Sequence, residues 1–214
     1  MKRAADYDAK GYAHLEGFLP PEVADAFLQQ LELDLREAGK SFQQFATSEK
    51  ILARPAIQIY GYRYKPMISF LWGMTPAMIE VTGRDLLPTY CFFRIYQEGD
   101  ICRVHSDRGA CEHSLSLTLA YSDGKPWPLQ IAAAPVSEAR PIADGFDADD
   151  CSAVPMRPGD AVLYKGVQYR HGRTVPNPNR WSAHLFLHWV DRDGPYRDCA
   201  FDARLAPADR PAAG

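Results

Sequence analysis

His105 and Asp107 stand two residues apart in FRIYQEGDICRVHSDRG (93–109), a stretch that reads as a strand running into a loop. Side chains at i and i+2 of a strand share a face, so this imidazole and this carboxylate can converge on one point, where a divalent metal can sit. A third ligand must come from elsewhere in the chain. His171, in VQYRHGRTVPNPNRWSAHLF (167–186), follows the turn Pro158-Gly159-Asp160 and the strand-like AVLY, and a strand-borne histidine this distant in sequence can meet the pair in a rolled sheet. Two histidines and one carboxylate that leave the other positions open suit non-haem Fe(II), which must also take a cosubstrate and dioxygen. Zinc is the alternative metal, but structural zinc wants four protein ligands, often thiolates. Cys91, Cys102, Cys111, Cys151 and Cys199 are not spaced for that.

Arg180 lies nine positions after His171, and Ser182 follows two further on. Strand alternation is expected to put both on the metal-facing side, where a forked guanidinium and a hydroxyl can hold a carboxylate. A dicarboxylate could then span from Arg180 to the metal. His184 and His188 share that face by the same alternation, and with His113 they are read as satisfied core or surface histidines. Arg94 and Arg103 are read as paired or solvated charges, with the holding of an acidic substrate as their alternative role, and Trp127, Phe186 and Trp189 as packing residues, Trp127 alternatively bordering the substrate.

The elements that must position these groups change character along the chain. PPEVADAFLQQLELDLREAG (20–39) carries Val23, Phe27, Leu31 and Leu35 at four-residue spacing, with Pro21 suited to a first helical turn and Gly39 to a stop. ARPAIQIYGYRYKP (53–66) alternates like a strand, and TPAMIEVTG (75–83) reads as a short helix capped by Thr75 with Pro76 in its first turn. From there PTYCFFRIYQ, HSLSLTLAYSD, PLQIAAAP, DAVLYKG and WSAHLFLHWVD are short β-branched or aromatic runs between turn residues, the pattern of an antiparallel sandwich or barrel. The acidic stretch 135–158 is either a surface loop or a lid over an open end. The Pro/Ala-rich tail DARLAPADRPAAG (202–214) is expected to fray.

Composition narrows the classes further. The 214 residues are 46% hydrophobic and 24% charged with a formal net charge of −3, which describes a globular protein with a sizeable core and no basic footprint for nucleic acid. No stretch reaches membrane-spanning length, and the basic start MKRAADYDAK has no apolar run behind it, so the chain is read as cytoplasmic. Five cysteines without a CxxC pair argue for free or buried thiols. Nothing in the sequence specifies an oligomeric state.

The ordered set RIYQEGDICRVHSD, SLSLTLAYSD and PGDAVLYKG…HGRTVPNPNRWS resembles the Fe(II)- and 2-oxoglutarate-dependent dioxygenase superfamily, with a layout similar to its prolyl-hydroxylase-like branch. The resemblance covers about positions 90–190. It implies a mainly β protein with supporting helices, built on a double-stranded β-helix or jelly-roll core of cupin type. The whole chain would form one domain, with helical support over about 1–85 and the jelly roll over about 86–200. It also implies Fe(II) on His105, Asp107 and His171, and 2-oxoglutarate and O2 as cosubstrates. Arg180 would hold the distal carboxylate, with Ser182 beside it, and Tyr96 and Tyr121 would hydrogen-bond the cosubstrate. The implied reaction couples oxidative decarboxylation of 2-oxoglutarate, giving succinate and carbon dioxide, to hydroxylation or a related oxidation of a small molecule or a peptidyl side chain. An AlkB-like nucleic-acid demethylase is the alternative within the superfamily, but the second arginine of that branch, six positions after the cosubstrate arginine, is here Phe186. A non-catalytic metal-binding cupin-like module is the alternative outside it, and a binding module has no need of an anion clamp.

Overall fold

The computed structural model describes residues 5–138, 140–146 and 149–203. In chain order these form α1 (Ala5–Lys10), β1 (Tyr12–Leu15), α2 (Pro21–Glu37), β2 (Ala46–Thr47), β3 (Ala56–Tyr60), α3 (Pro66–Thr82), β4 (Leu86–Gln97), β5 (Cys102–His105), β6 (His113–Tyr121), β7 (Leu129–Ala132), β8 (Cys151–Val154), β9 (Ala161–Tyr164), β10 (His171–Arg173) and β11 (Trp181–Asp191). Three short 3-10 turns complete them.

The strands form two sheets. The larger has the order β1-β9-β6-β11-β4-β3-β2 and the smaller β5-β10-β7-β8. Following the chain from β4, the strands enter the large sheet, the small one, the large one, the small one twice, then large, small and large again. All the pairings are antiparallel. A ribbon that winds back and forth between two facing sheets in this way is a double-stranded β-helix, or jelly roll, as the sequence resemblance implied.

Alternation then divides each central strand between two environments. On β6 and β11, Leu115, Leu117, Leu119, Leu185, Leu187 and Trp189 face outward into a core shared with Leu31 and Leu35 of α2 and Met67, Leu71, Met78 and Val81 of α3. The intervening Ser114, Ser116, Thr118, His184, Phe186 and His188 face between the sheets and are all buried. This explains why β6 and β11 read as almost unbroken buried runs. The helices cover one face of the large sheet, and the small sheet covers the other.

Two helical expectations need correction. Val23 is 48% exposed, so α2 docks through Ala24, Leu31 and Leu35 rather than through all four apolar positions. Helix α3 begins at Pro66, and Pro76 lies inside it. The aromatic run after β3 turns at Gly61 into this helix because Met67 and Leu71, at helical spacing, bury fully against the sheet. Pro76 has no N–H to donate to the preceding turn. The Thr75 hydroxyl bonds the Leu71 carbonyl at 3.1 Å and accepts Trp189 Nε1 at 3.0 Å, tying the irregular turn to β11.

Among its described residues, the acidic stretch packs in two places, against the small sheet and between the two sheets. Val104 and Ala143 exchange backbone hydrogen bonds, Phe146 buries against Val104 and Ala132, and β8 extends the small sheet beside β7. The part around Ala143 and Phe146 therefore covers the small sheet at Val104 and Ala132, whereas Val154 and Met156 bury between the sheets with Ile131 and Val162. Of the tail, residues 204–214 lie outside the described residues. All five cysteines are free thiols, and Cys91, Cys102 and Cys111 are buried. No helix among the described residues is long and apolar enough to cross a membrane.

Candidate metal and anion site

Strands β5 and β10 pair so that His105 lies directly opposite His171. Asp107 follows β5 by two residues, its backbone N–H bonded to the Gly166 carbonyl at 2.9 Å. The three side chains converge, with one ligand atom from each within 4.8 Å of the others. Asp107 Oδ1 is 3.6 Å from His105 Nε2, and Asp107 Oδ2 is 3.6 Å from His171 Nε2.

The ring orientations are set by the backbone. His105 Nδ1 lies 2.7 Å from the Arg103 carbonyl and His171 Nδ1 lies 2.9 Å from the Tyr169 carbonyl. A carbonyl can only accept, so both Nδ1 atoms carry the proton and both Nε2 lone pairs point toward Asp107. Holding the distal nitrogen in this way is how proteins prepare a histidine to bind a metal. Burial, with His171 beside it, pushes His105 down to about 4, which keeps the ring neutral and able to ligate near neutral pH. Burial alone would raise the Asp107 carboxyl, but the neighbouring His171 and His105 rings hold it below the ordinary range. A set of two imidazoles and one carboxylate fits a divalent iron centre with open positions.

Gly166 gives Asp107 its room. A Cβ at position 166 would lie 2.3 Å from Asp107 Oδ2, 2.6 Å from the Cys111 carbonyl and 2.8 Å from Ser114 Oγ. Gly166→Ala is therefore expected to displace the carboxylate and weaken Fe(II) or Zn(II) binding by about 10- to 100-fold. A chelator-competition titration on protein that retains its circular-dichroism spectrum measures this, and unchanged affinity would show that Asp107 is not held in the ligating position by this packing.

The triad opens into a cavity of about 320 Å³, whose lining includes Tyr96, Arg94, Arg173, Phe92, Phe186 and His188. Arg180 is outside it. The paired part of β11 begins at Trp181, opposite Gln97, and one residue earlier the chain is already in a loop tied down by Asn177 and Asn179. Alternation does not extend back through that loop. The Arg180 side chain is 71% exposed and pairs with Asp123 at 3.2 Å. With Trp181 it borders a separate hollow on the helix-bearing side, beside Phe42, Ile57 and Ile95. Ser182 is fully buried opposite Tyr96 and Tyr121, but it does not line the cavity. Tyr121 packs with Trp127 and His184 and also does not line it, whereas Tyr96 does.

A different guanidinium lines the cavity. Arg173 stands two residues after His171 on β10 and is 1% exposed. Its Nη2 reaches Ser116 Oγ at 3.4 Å, its guanidinium carbon lies 5.1 Å from the Trp127 ring centre, and its Nε has no acceptor among the described residues. No carboxylate of the described residues pairs with it. Burying a cation without a counter-ion is costly, so an arginine kept in this state marks a place for an anion. The i, i+2 relation that links His105 to Asp107 also links His171 to Arg173, and that was the available sequence signal.

Two histidines flank the site. His188 lines the cavity, accepts or donates at Ser114 Oγ (2.9 Å), stacks on Tyr90, and is pushed down to about 4 by burial. His184 lies deeper, near Thr118 Oγ1 at 3.3 Å, and burial holds it well below its ordinary value. Ser114 also donates to Asp107 Oδ2 at 3.2 Å, so His188 communicates with the carboxylate through one hydroxyl.

No family model matches the chain, and no curated protein matches it by sequence. Solved structures do match. A Pseudomonas putida prolyl-4-hydroxylase is similar over 88% of this chain and 96% of its own, with a TM-score of 0.60 at 17% identity. The epimerase SnoN, in complex with Fe3+, alpha ketoglutarate and nogalamycin RO, covers 98% of this chain and 89% of its own at TM-score 0.66 and 15% identity. HygX from Streptomyces hygroscopicus, with nickel and 2-oxoglutarate bound, covers 87% and 85% at TM-score 0.61 and 10% identity. The chain thus has the double-stranded β-helix fold of proteins solved with iron or nickel and 2-oxoglutarate.

Proposed function

We propose that this protein is a non-haem iron oxygenase that couples oxidative decarboxylation of 2-oxoglutarate to hydroxylation, or a related oxidation, of a small molecule or peptidyl side chain. One observation carries the reading: a two-histidine, one-carboxylate cluster and a buried arginine with no counter-ion open into the same cavity. A metal-storage or binding module would need the first and not the second.

His105, Asp107 and His171 would hold Fe(II), which when bound supplies the redox chemistry and dioxygen activation. The roles of this chain's own residues are separable. Arg173 accepts the distal carboxylate of the cosubstrate, and Ser116 and Tyr96 fix the guanidinium or the ligand beside it. That orients the keto-acid end toward the Nε2 atoms of the triad. Phe92, Phe186 and Tyr90 exclude water on the substrate side and protect the protein from uncoupled oxidation. The carbonyls of Arg103 and Tyr169 keep both ligand imidazoles from rotating.

The similar solved structures support the choice of cosubstrate through the ligands they contain, 2-oxoglutarate or alpha ketoglutarate with a metal. Anaerobic addition of 2-oxoglutarate to the Fe(II)-loaded protein is expected to produce the weak visible charge-transfer band of a chelated keto acid, and admission of O2 to release succinate. Iron binding without either signal would exclude this reaction.

A further inference from the structure

The cavity holds a second buried guanidinium that the cosubstrate does not use. Arg94, on β4, is 5% exposed, and no carboxylate of the described residues pairs with it. Its Nε and Nη2 both donate to the Gln58 side-chain oxygen, and Nη1 reaches the Tyr96 hydroxyl at 3.3 Å. A guanidinium has five N–H donors, so these three bonds leave two for a ligand. The acidic group on its side, Glu49, acts on it through space without an ion-pair contact, and is bridged to it by Gln58, whose amide nitrogen is 3.4 Å from the Glu49 carboxylate.

Charge counting separates the two arginines. One 2-oxoglutarate brings two carboxylates. One belongs at the metal and one at Arg173, which shares a strand with the ligand His171. Arg94 is on a different wall, paired across the sheet with Gln58 and His184, toward Ile51, Tyr60 and Glu49. Its surroundings are flat and apolar. The guanidinium carbon lies 4.9 Å from the Phe92 ring centre and 5.8 Å from that of Phe186, and these two rings stack at 4.7 Å. Tyr90 continues the wall, stacked on Phe92 at 6.1 Å and on His188 at 4.6 Å. Such a surface takes a planar apolar body, and the arginine at its end takes the acid group.

We infer that Arg94 anchors the carboxylate of the primary substrate, a small organic acid with a planar apolar body lying along Phe92, Phe186 and Tyr90. The inference deepens the oxygenase reading and rests on it only in giving Arg173 to the cosubstrate. It favours a free small-molecule acid over a neutral peptidyl side chain. Two anions, one at each arginine, then leave neither buried cation without a partner.

Calorimetric titration of Zn(II)-loaded protein saturated with 2-oxoglutarate tests it, using benzoate, phenylacetate, hydrocinnamate and octanoate, each beside its amide. At least one aryl acid should bind about tenfold or more tighter than its amide, the size expected of a buried charged hydrogen bond. Arg94→Met should remove that preference while lowering 2-oxoglutarate affinity much less than an Arg173 variant does, the shared Tyr96 coupling the two only indirectly. Arg94→Lys keeps the charge and should retain a weakened preference, which guards against a misfolded methionine variant. Equal binding of acid and amide by the parent protein overturns the inference. So does an Arg94→Lys protein whose 2-oxoglutarate affinity falls as far as that of an Arg173 variant, because both arginines would then serve one carboxylate. Repeating the titration without metal or cosubstrate separates the two proposals: an Arg94-dependent acid preference there supports this site even if the parent binds no 2-oxoglutarate.

Discussion

Arg173→Met is expected to weaken 2-oxoglutarate binding by about 30- to 100-fold, roughly 2–3 kcal/mol, while Arg180→Ala changes it by less than about twofold. Equilibrium binding to the Zn(II)-loaded protein measures both. The difference follows from the surroundings of each guanidinium. Arg180 is 71% exposed and already paired with Asp123, and an exposed pair of that kind contributes within about 1 kcal/mol to stability and nothing to a cavity it does not line. Arg173 is 1% exposed, with an orphaned Nε and no carboxylate partner among the described residues. Its charge is uncompensated until an anion enters. The same imbalance makes a second forecast: the ligand-free Arg173→Met protein should be at least as thermally stable as the parent, because an apolar side chain replaces an unpaired buried cation. Saturating 2-oxoglutarate should raise the melting temperature of the parent and not of the variant. If Arg180→Ala instead abolishes binding, the loop 174–180 must refold around the ligand and Arg173 is a structural cation.

The reversal of these two arginines shows what the sequence could and could not convey. The convergence of the triad was legible because β-strand periodicity is a local rule and His105, Asp107 and His171 obey it within or next to a paired strand. The run WSAHLFLHWVD was legible for the same reason, and β11 spans those residues, Trp181–Asp191. Arg180 lies one residue outside that rule. Pairing starts at Trp181, and whether alternation continues past a strand end depends on the tertiary hydrogen bonds of Asn177 and Asn179, which no local pattern encodes. Helix α3 was misread for a similar reason. Pro66 and Pro76 are both plausible first-turn prolines, and the choice between them is made by burial of Met67 and Leu71 on the sheet and by Trp189 reaching Thr75. The four-residue strand β1 lies between the positive-φ glycines Gly11 and Gly17, but it is too short to show an alternation, and it forms where β9 offers it an edge. Arg94 gives the clearest case of information absent from sequence: its isolation from carboxylates is a property of three strands brought together, β3, β4 and β11.

His171→Ala is expected to lower Fe(II) or Zn(II) affinity by more than about a hundredfold, and Cys111→Ala to leave it within about twofold. The comparison matters because Asp107 belongs to two groups of ligand atoms. It closes one with His105 and His171 and another with Cys111 and His188, each within 4.8 Å. A sulfur-containing group would select zinc, whereas the two-histidine group suits iron. Protonation decides between them. Burial pushes the Cys111 thiol well above its ordinary value, with Asp107 adding to the rise, and Tyr90 hydrogen-bonds the sulfur at 3.1 Å. It is therefore a thiol near neutral pH, and a thiol must lose its proton before it binds a metal. His188 is engaged through Nδ1 with Ser114, which also holds Asp107 Oδ2. On the other side, the carbonyls of Arg103 and Tyr169 hold the Nδ1 atoms of His105 and His171 and turn both Nε2 atoms toward the carboxylate. Metal should therefore be held on the His171 side, on the strand that also carries Arg173. Metal retained by His171→Ala but lost from Cys111→Ala would reverse that choice, and with it the case for a redox-active centre.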